Sequence, residues 1–246
     1  GGELGSWATG TPDALLDAWK KAEILGEPWH RGVPSRKIAI SGVACTLNWA
    51  TDPFCQGPED APPYWGSRAD FRGRLLTPAH AQWPAAVAVG SSHGCLVAGG
   101  VVCWGSSSDG QLATGSLASW VPASDAKFVD LDSASVVGAV VGQAHTCFLL
   151  ATGSVVCFGL NNQGQCGTES LGNRGGSPSH LGSGLSIVPL DTSSPGVEWS
   201  PVVELSAGDH HTCARVESGQ VFCWGANGQG QAGTGMISLG VGLQAG

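Results

Sequence analysis

A chain of 246 residues, 42% of them hydrophobic, is long enough to bury a substantial core, so a folded protein is expected and a disordered one excluded. A formal charge of −8 repels phosphate backbones and anionic lipid headgroups, which removes nucleic acid from the expected partners, and no run of about 18 apolar residues is present to insert in a bilayer. Only 12% of residues are charged, whereas 39 are glycine and 10 are tryptophan, so turn-rich β structure with aromatic packing is expected over long surface helices.

In chain order, residues 1–37 carry Gly2-Glu3-Leu4-Gly5, which matches the end of a repeat unit met further on, and then a helix over about 12–25. Pro12 follows Thr11 at its start, Asp13 and Asp17 lie early, Lys20 and Lys21 late, Leu15, Trp19 and Ala22 share one face, and Gly26 ends it. Residues 38–85 form a degenerate unit around Cys45 and Cys55. Residues 86–135 and 136–200 form two clear units, the second ending in a Gly, Ser and Pro-rich insertion over 168–200, and residues 201–246 form a last, truncated unit.

The three clear units share their landmarks. Each has Gly, then His-x-Cys (His93, His145, His211), a Gly-containing turn, and Cys-aromatic-Gly (Trp104-Gly105, Phe158-Gly159, Trp224-Gly225). A Gly-Gln pair follows in each, with Gln111, Gln165 and Gln231. Equivalent cysteines lie 50, 52 and 66 residues apart (Cys45, Cys95, Cys147, Cys213), a period that suits a four-stranded sheet plus loops and is too long for the shorter helical solenoid repeats. The expected fold is therefore all-β, a propeller of which about four blades are seen, with one short N-terminal helix.

Eight of the nine cysteines fall into local pairs, Cys45 with Cys55, Cys95 with Cys103, Cys147 with Cys157 and Cys213 with Cys223, whose separations of 10, 8, 10 and 10 are all even. Shortening a hairpin turn by two keeps the same residues opposed on one face, whereas shortening by one flips a strand. Cross-strand disulfides are the expected result, and with them an extracellular, cell-surface or luminal compartment. Cys166 is left over at the position of Leu112 and Ala232, which makes it a buried free thiol with no chemistry. His145, Cys147 and Cys157 would give a metal three ligands and no fourth, repeated separately in each unit, so no metal, cofactor or catalytic residue is assigned. The three histidines are expected to use a ring nitrogen to tie one blade's backbone to its neighbour, and the aromatics to pack between blades.

Gly-x-x-His-Thr-Cys, Val-x-Cys-Trp-Gly and Asn-x-x-Gly-Gln-x-Gly resemble the repeat of regulator-of-chromosome-condensation propellers, weakly over 38–60 and well over 86–235. The cysteine-bearing form is similar to the ectodomain repeats of crinkly-type plant receptor kinases. The resemblance implies seven blades in a ring, the remainder supplied by the same chain or by a partner. It also brings two alternatives, a receptor ectodomain and a nucleotide-exchange or chromatin-binding propeller. The leading expectation is a non-enzymatic scaffold within a larger assembly, contacting other proteins through loops such as 168–200 and the 12–25 helix.

Overall fold

The computed structural model describes residues 86–97, 100–122, 125–168, 170–190 and 200–233 in full, together with the backbone of strands near 38–56 and 238–245. The helix expected over 12–25 lies outside the described residues. Every regular element described is a β-strand or a short 3₁₀ turn.

Four antiparallel sheets follow one another along the chain. The first is β1 (Ile38–Ile40), β2 (Ala44–Thr46) and β3 (Phe54–Gln56). The second is β4 (Ala86–Val89), β5 (His93–Val97), β6 (Val101–Ser107) and β7 (Ala118–Val121). The third is β8 (Val136–Val141), β9 (His145–Leu150) and β10 (Val155–Gly159), and the fourth is β11 (Val202–Ala207), β12 (His211–Val216), β13 (Val221–Asn227) and β14 (Ser238–Ala245). Each is an up-and-down meander, and the first strands β1, β4, β8 and β11 lie against one another in series. Such in-line stacking is how a propeller buries both faces of each sheet.

The burial pattern explains why the strands read as continuous apolar runs. All six residues of β9 and all five of β10 are buried, because this sheet is covered on both sides. One side packs Phe148, Leu150, Val156 and Phe158 against Cys95, Val97, Val101 and Cys103 of the preceding sheet. The other packs Leu149 and Val155 against Val202, Ala214, Val216, Phe222 and Trp224 of the next. By contrast β12 alternates between buried and more exposed positions, since only one of its sides meets a neighbour.

Part of the stretch expected to be a loop insertion is anchored. Gly159 and Arg174 exchange both backbone hydrogen bonds, at 2.8 and 3.0 Å, and Val188 N–H donates to the Val155 carbonyl at 2.8 Å, so 174 and 188 flank the open edge of β10. The same segment reaches back to the preceding sheet. Gly115 N–H donates to the Gly175 carbonyl at 2.9 Å, Gly182 N–H to the Asp130 carbonyl at 3.1 Å, and the Asn173 side-chain amide to the Asp109 carboxylate at 2.9 Å. Residues 170–190 thus bind two consecutive sheets together.

Candidate functional site

The residues singled out by the repeat come together where one sheet meets the next, and their roles follow from strand register. Cys147 is the cross-strand partner of Cys157, as Cys95 is of Cys103 and Cys213 of Cys223. Leu150 N–H donates to the Ser154 carbonyl, so counting inward along the ladder places Cys147 and Cys157 in a non-hydrogen-bonded pair. That pairing brings backbones closest together, and the Cα atoms lie 4.1 Å apart. Disulfides join Cys95 to Cys103, Cys147 to Cys157 and Cys213 to Cys223. The backbone register also sets Cys45 opposite Cys55.

The histidines His93 and His145 each reach from one sheet to the next. His93 Nε2 lies 2.7 Å from the Thr146 hydroxyl in the next sheet, and His145 Nε2 lies 2.9 Å from that of Thr212. Each therefore reaches a side chain of the next sheet, and His93 also interacts with the backbone of His145 there. A further backbone group enters through a relay, because the Thr146 hydroxyl donates to the Gln111 carbonyl at 2.9 Å. With its proton committed there, Thr146 accepts from His93, which fixes the proton of His93 on Nε2. Thr146 and Thr212 were not singled out by the sequence, although His-Thr-Cys in two units was the available signal.

The second joint satisfies the same carbonyl with a different donor. Trp224 Nε1–H donates to the Gln165 carbonyl at 2.9 Å, and Thr212 instead approaches the Cys147 sulfur at 3.7 Å. Phe158 has no N–H to offer, so in the first joint the threonine takes that duty. Trp104, Phe158 and Trp224 are all buried, Phe158 and Trp224 between sheets.

The glutamine side chains fold back on their own loops. Gln111, Gln165 and Gln231 accept from the backbone N–H of Asp109, Gln163 and Gln229 at 2.9, 2.8 and 2.8 Å. Asn161 and Asn227 accept from the N–H of Cys166 and Ala232 at 2.8 and 2.9 Å, roles the sequence reading missed. Gly105, Gly159 and Gly225 follow the aromatics at φ of +105°, +105° and +100°, with the Cα atoms of His93, His145 and His211 beside them, leaving no room for a side chain.

Electrostatically the joints are dry. Burial pushes the His93 imidazole down to about 3, helped by the nearby charge of His145, and takes His145 down to about 4, with His210 and His211 adding to it. Both rings are neutral at physiological pH. Burial likewise pushes the Cys166 thiol up to about 12, so it is not a nucleophile. Among the described residues no group of three His, Cys, Asp or Glu side chains is placed to hold a metal ion.

The most exposed large apolar side chains described lie at the loop end of the sheets. Leu117 and Leu171 are 62% and 61% exposed, the largest such values among apolar side chains described. Leu117 packs over Gly176, and Leu171 leads into Asn173, which holds Asp109. Leu117 and Leu171 thus stand on two loops that hydrogen bonds hold to one another.

A family model described as the regulator of chromosome condensation (RCC1) repeat matches residues 136–165 and 202–231. The regulator of chromosome condensation of Xenopus laevis is 34% identical over 99 residues, which cover 37% of this chain and 18% of that protein. Among solved structures, human WBSCR16 superposes with a TM-score of 0.64 at 18% identity, over 88% of this chain and 54% of that one. Yeast RCC1 (Prp20) bound to Kap60 gives 0.57 at 17% identity, over 81% and 44%. The chain thus spans about half the length of the solved proteins it resembles, and far less of the curated relative.

Proposed function

Because this chain is a repeat protein of the RCC1 propeller type, we propose that it works as a non-enzymatic protein-interaction scaffold in an oxidising compartment, extracellular or luminal. Its contact surface is the loop end around Leu117 and Leu171. In this reading residues 38–85, 86–135, 136–200 and 201–246 each make one blade.

The observation that carries the proposal is how the repeat's chemistry is used. His93, His145, the Gln111 and Gln165 carbonyls and the three described cysteine pairs serve contacts within or between sheets, and so are taken up in holding the fold together. Disulfides inside successive sheets persist where glutathione does not reduce them. Yeast RCC1 (Prp20), on which this chain superposes, was solved with Kap60 bound, so a protein with this fold is found with a protein partner.

Two measurements test this reading. Thiols are alkylated in the native source before lysis and peptides mapped without reduction; bridged pairs with Cys166 modified only after unfolding are expected, and free Cys95, Cys103, Cys147 or Cys157 would remove the oxidising compartment. Photo-crosslinking residues are then placed at 117, at 171 and, as a control, at exposed Val203 on β11. Protein adducts at 117 and 171 but not at 203 are expected, and equal labelling at all three would refute a loop-end contact.

A further inference from the structure

The described cations are Lys127, Arg174 and Arg215, and carboxylates outnumber them. Lys127 is exposed, and Arg215 pairs with Glu204 at 3.0 Å. Arg174 is part-buried, yet no carboxylate meets it among the described residues. Its side chain has one partner there, the Ser186 hydroxyl, which accepts from Nη2 at 2.7 Å. A guanidinium carries five N–H donors, and drawing it part-way out of water without a counter-charge is costly. An acid-rich chain that leaves this one cation unpaired has kept it open to an anion from outside.

Two further donors come from the same segment. His180 Nδ1 accepts from the Gly175 N–H at 3.0 Å, which places the proton of the neutral ring on Nε2. Burial, and after it the charge of Arg174, holds this imidazole below the ordinary histidine range, so the ring is neutral at physiological pH. No acceptor among the described residues meets its Nε2–H. Ser186, having accepted from Arg174, keeps its own proton to give. The Arg174 backbone is bonded to Gly159 and Gly175 to Gly115, so these donors stand on main chain already held in place. Leu117 packs over Gly176, and the chain's own reach keeps the Arg174 Cα within about 7 Å of that of Gly176 and about 11 Å of that of Leu171.

We propose that Arg174, with His180 and Ser186, receives one carboxylate, the side chain of an aspartate or glutamate on a protein partner whose adjacent apolar side chain rests on Leu117 and Leu171. A planar carboxylate matches the guanidinium fork, and one cation balances one charge. Polyanions are a poorer fit, because the chain carries a formal charge of −8 and the segment is bordered by Asp109, bonded to Asn173, and by Asp130 beside Gly182. This inference rests on the loop-end contact proposed above and gives that contact its chemistry.

The test follows the His180 ring by NMR in the full chain with isotope-labelled histidine, its signal assigned by loss in His180→Gln. The probes are N-acetyl-leucyl-aspartyl amide and its asparaginyl counterpart at constant ionic strength. A bound carboxylate offsets the Arg174 charge, so the aspartyl probe should raise the His180 midpoint by about 0.5–1 pH unit while the asparaginyl probe leaves it in place. Arg174→Gln should abolish the response without loss of hydrogen-exchange protection in 170–190, since main-chain groups hold Arg174 to Gly159, and Arg174→Lys should keep a weaker one. The proposal is overturned by no shift with the aspartyl probe, by equal shifts with both probes, by a shift that survives Arg174→Gln, or by acetate acting as well as the aspartyl probe, which marks an adventitious ion only. Crosslinking at 117 and 171 decides the contact separately: a shift without adducts removes the loop-end reading, and adducts without a shift remove the carboxylate site.

Discussion

Replacing Trp224 by phenylalanine separates the packing of the second joint from its hydrogen bond. Trp224 is fully buried, so Trp224→Phe leaves a smaller ring and some void, at a cost of about 1–3 kcal/mol. It also takes the indole N–H from the Gln165 carbonyl, and a buried carbonyl left unpaired would add about 1–3 kcal/mol. The first joint shows a way around that second loss. Thr146 and Phe158 are cross-strand partners, as Thr212 and Trp224 are, and Thr146 supplies the Gln111 carbonyl where phenylalanine cannot. In Trp224→Phe, therefore, the Thr212 hydroxyl turns from the Cys147 sulfur to the Gln165 carbonyl and recovers the bond. Thr212→Val alone leaves the buried His145 Nε2 without its partner and costs about 1–3 kcal/mol, while the double variant loses both donors to one acceptor. Urea unfolding of the oxidised protein, followed by circular dichroism, should give a double variant less stable than the sum of the singles by about 1–2 kcal/mol. Additivity within about 0.3 kcal/mol would show that threonine and tryptophan do not share the carbonyl.

Acid should weaken the fold through the buried histidines. His93 and His145 have folded-state values of about 3 and about 4, below the unfolded 6.5, so the unfolded state takes up more protons in that window. Their contribution is complete above pH 6.5 and falls with acidification, at about 1.4 kcal/mol per pH unit for each ring, until the folded values are passed. Denaturation midpoints between pH 7 and pH 4.5 measure it; His145→Gln should flatten the slope, and an unchanged slope would refute the assignment. Native Cys166 should resist iodoacetamide at pH 8 and react at once in denaturant, and Cys166→Ala should be tolerated because Ala232 fills the equivalent site. Gly175→Ala places a Cβ against the Gly110 carbonyl at a φ of +89°, and should speed hydrogen exchange of 170–190 without changing exchange in β12.

The all-β repeat was legible because three units aligned on invariant positions of one chain, and even cysteine spacing carried the face of the strands with it. Both follow from strand periodicity, which is local. The role of the histidines was not legible in full, because the threonine that receives each ring lies 53 or 67 residues away in the next unit. The Gly, Ser and Pro-rich composition of 168–200 pointed to a loop insertion, but composition does not report backbone pairing, and Arg174 and Val188 bond to β10 through main-chain groups that any residue possesses.

Each disulfide among the described residues closes a loop inside a single sheet, between partners 8 or 10 positions apart in sequence. None of these three crosses from one sheet to the next. A load pulling on the two ends of the chain would therefore meet no covalent stop between sheets: the joints would open one after another, and almost the whole contour length would pay out. Only the short hairpin tips would stay locked, so the protein would behave under tension as a string of closed clasps whose extensibility is nearly the same whether the bridges are oxidised or reduced, while the recoil of each clasp depends on them.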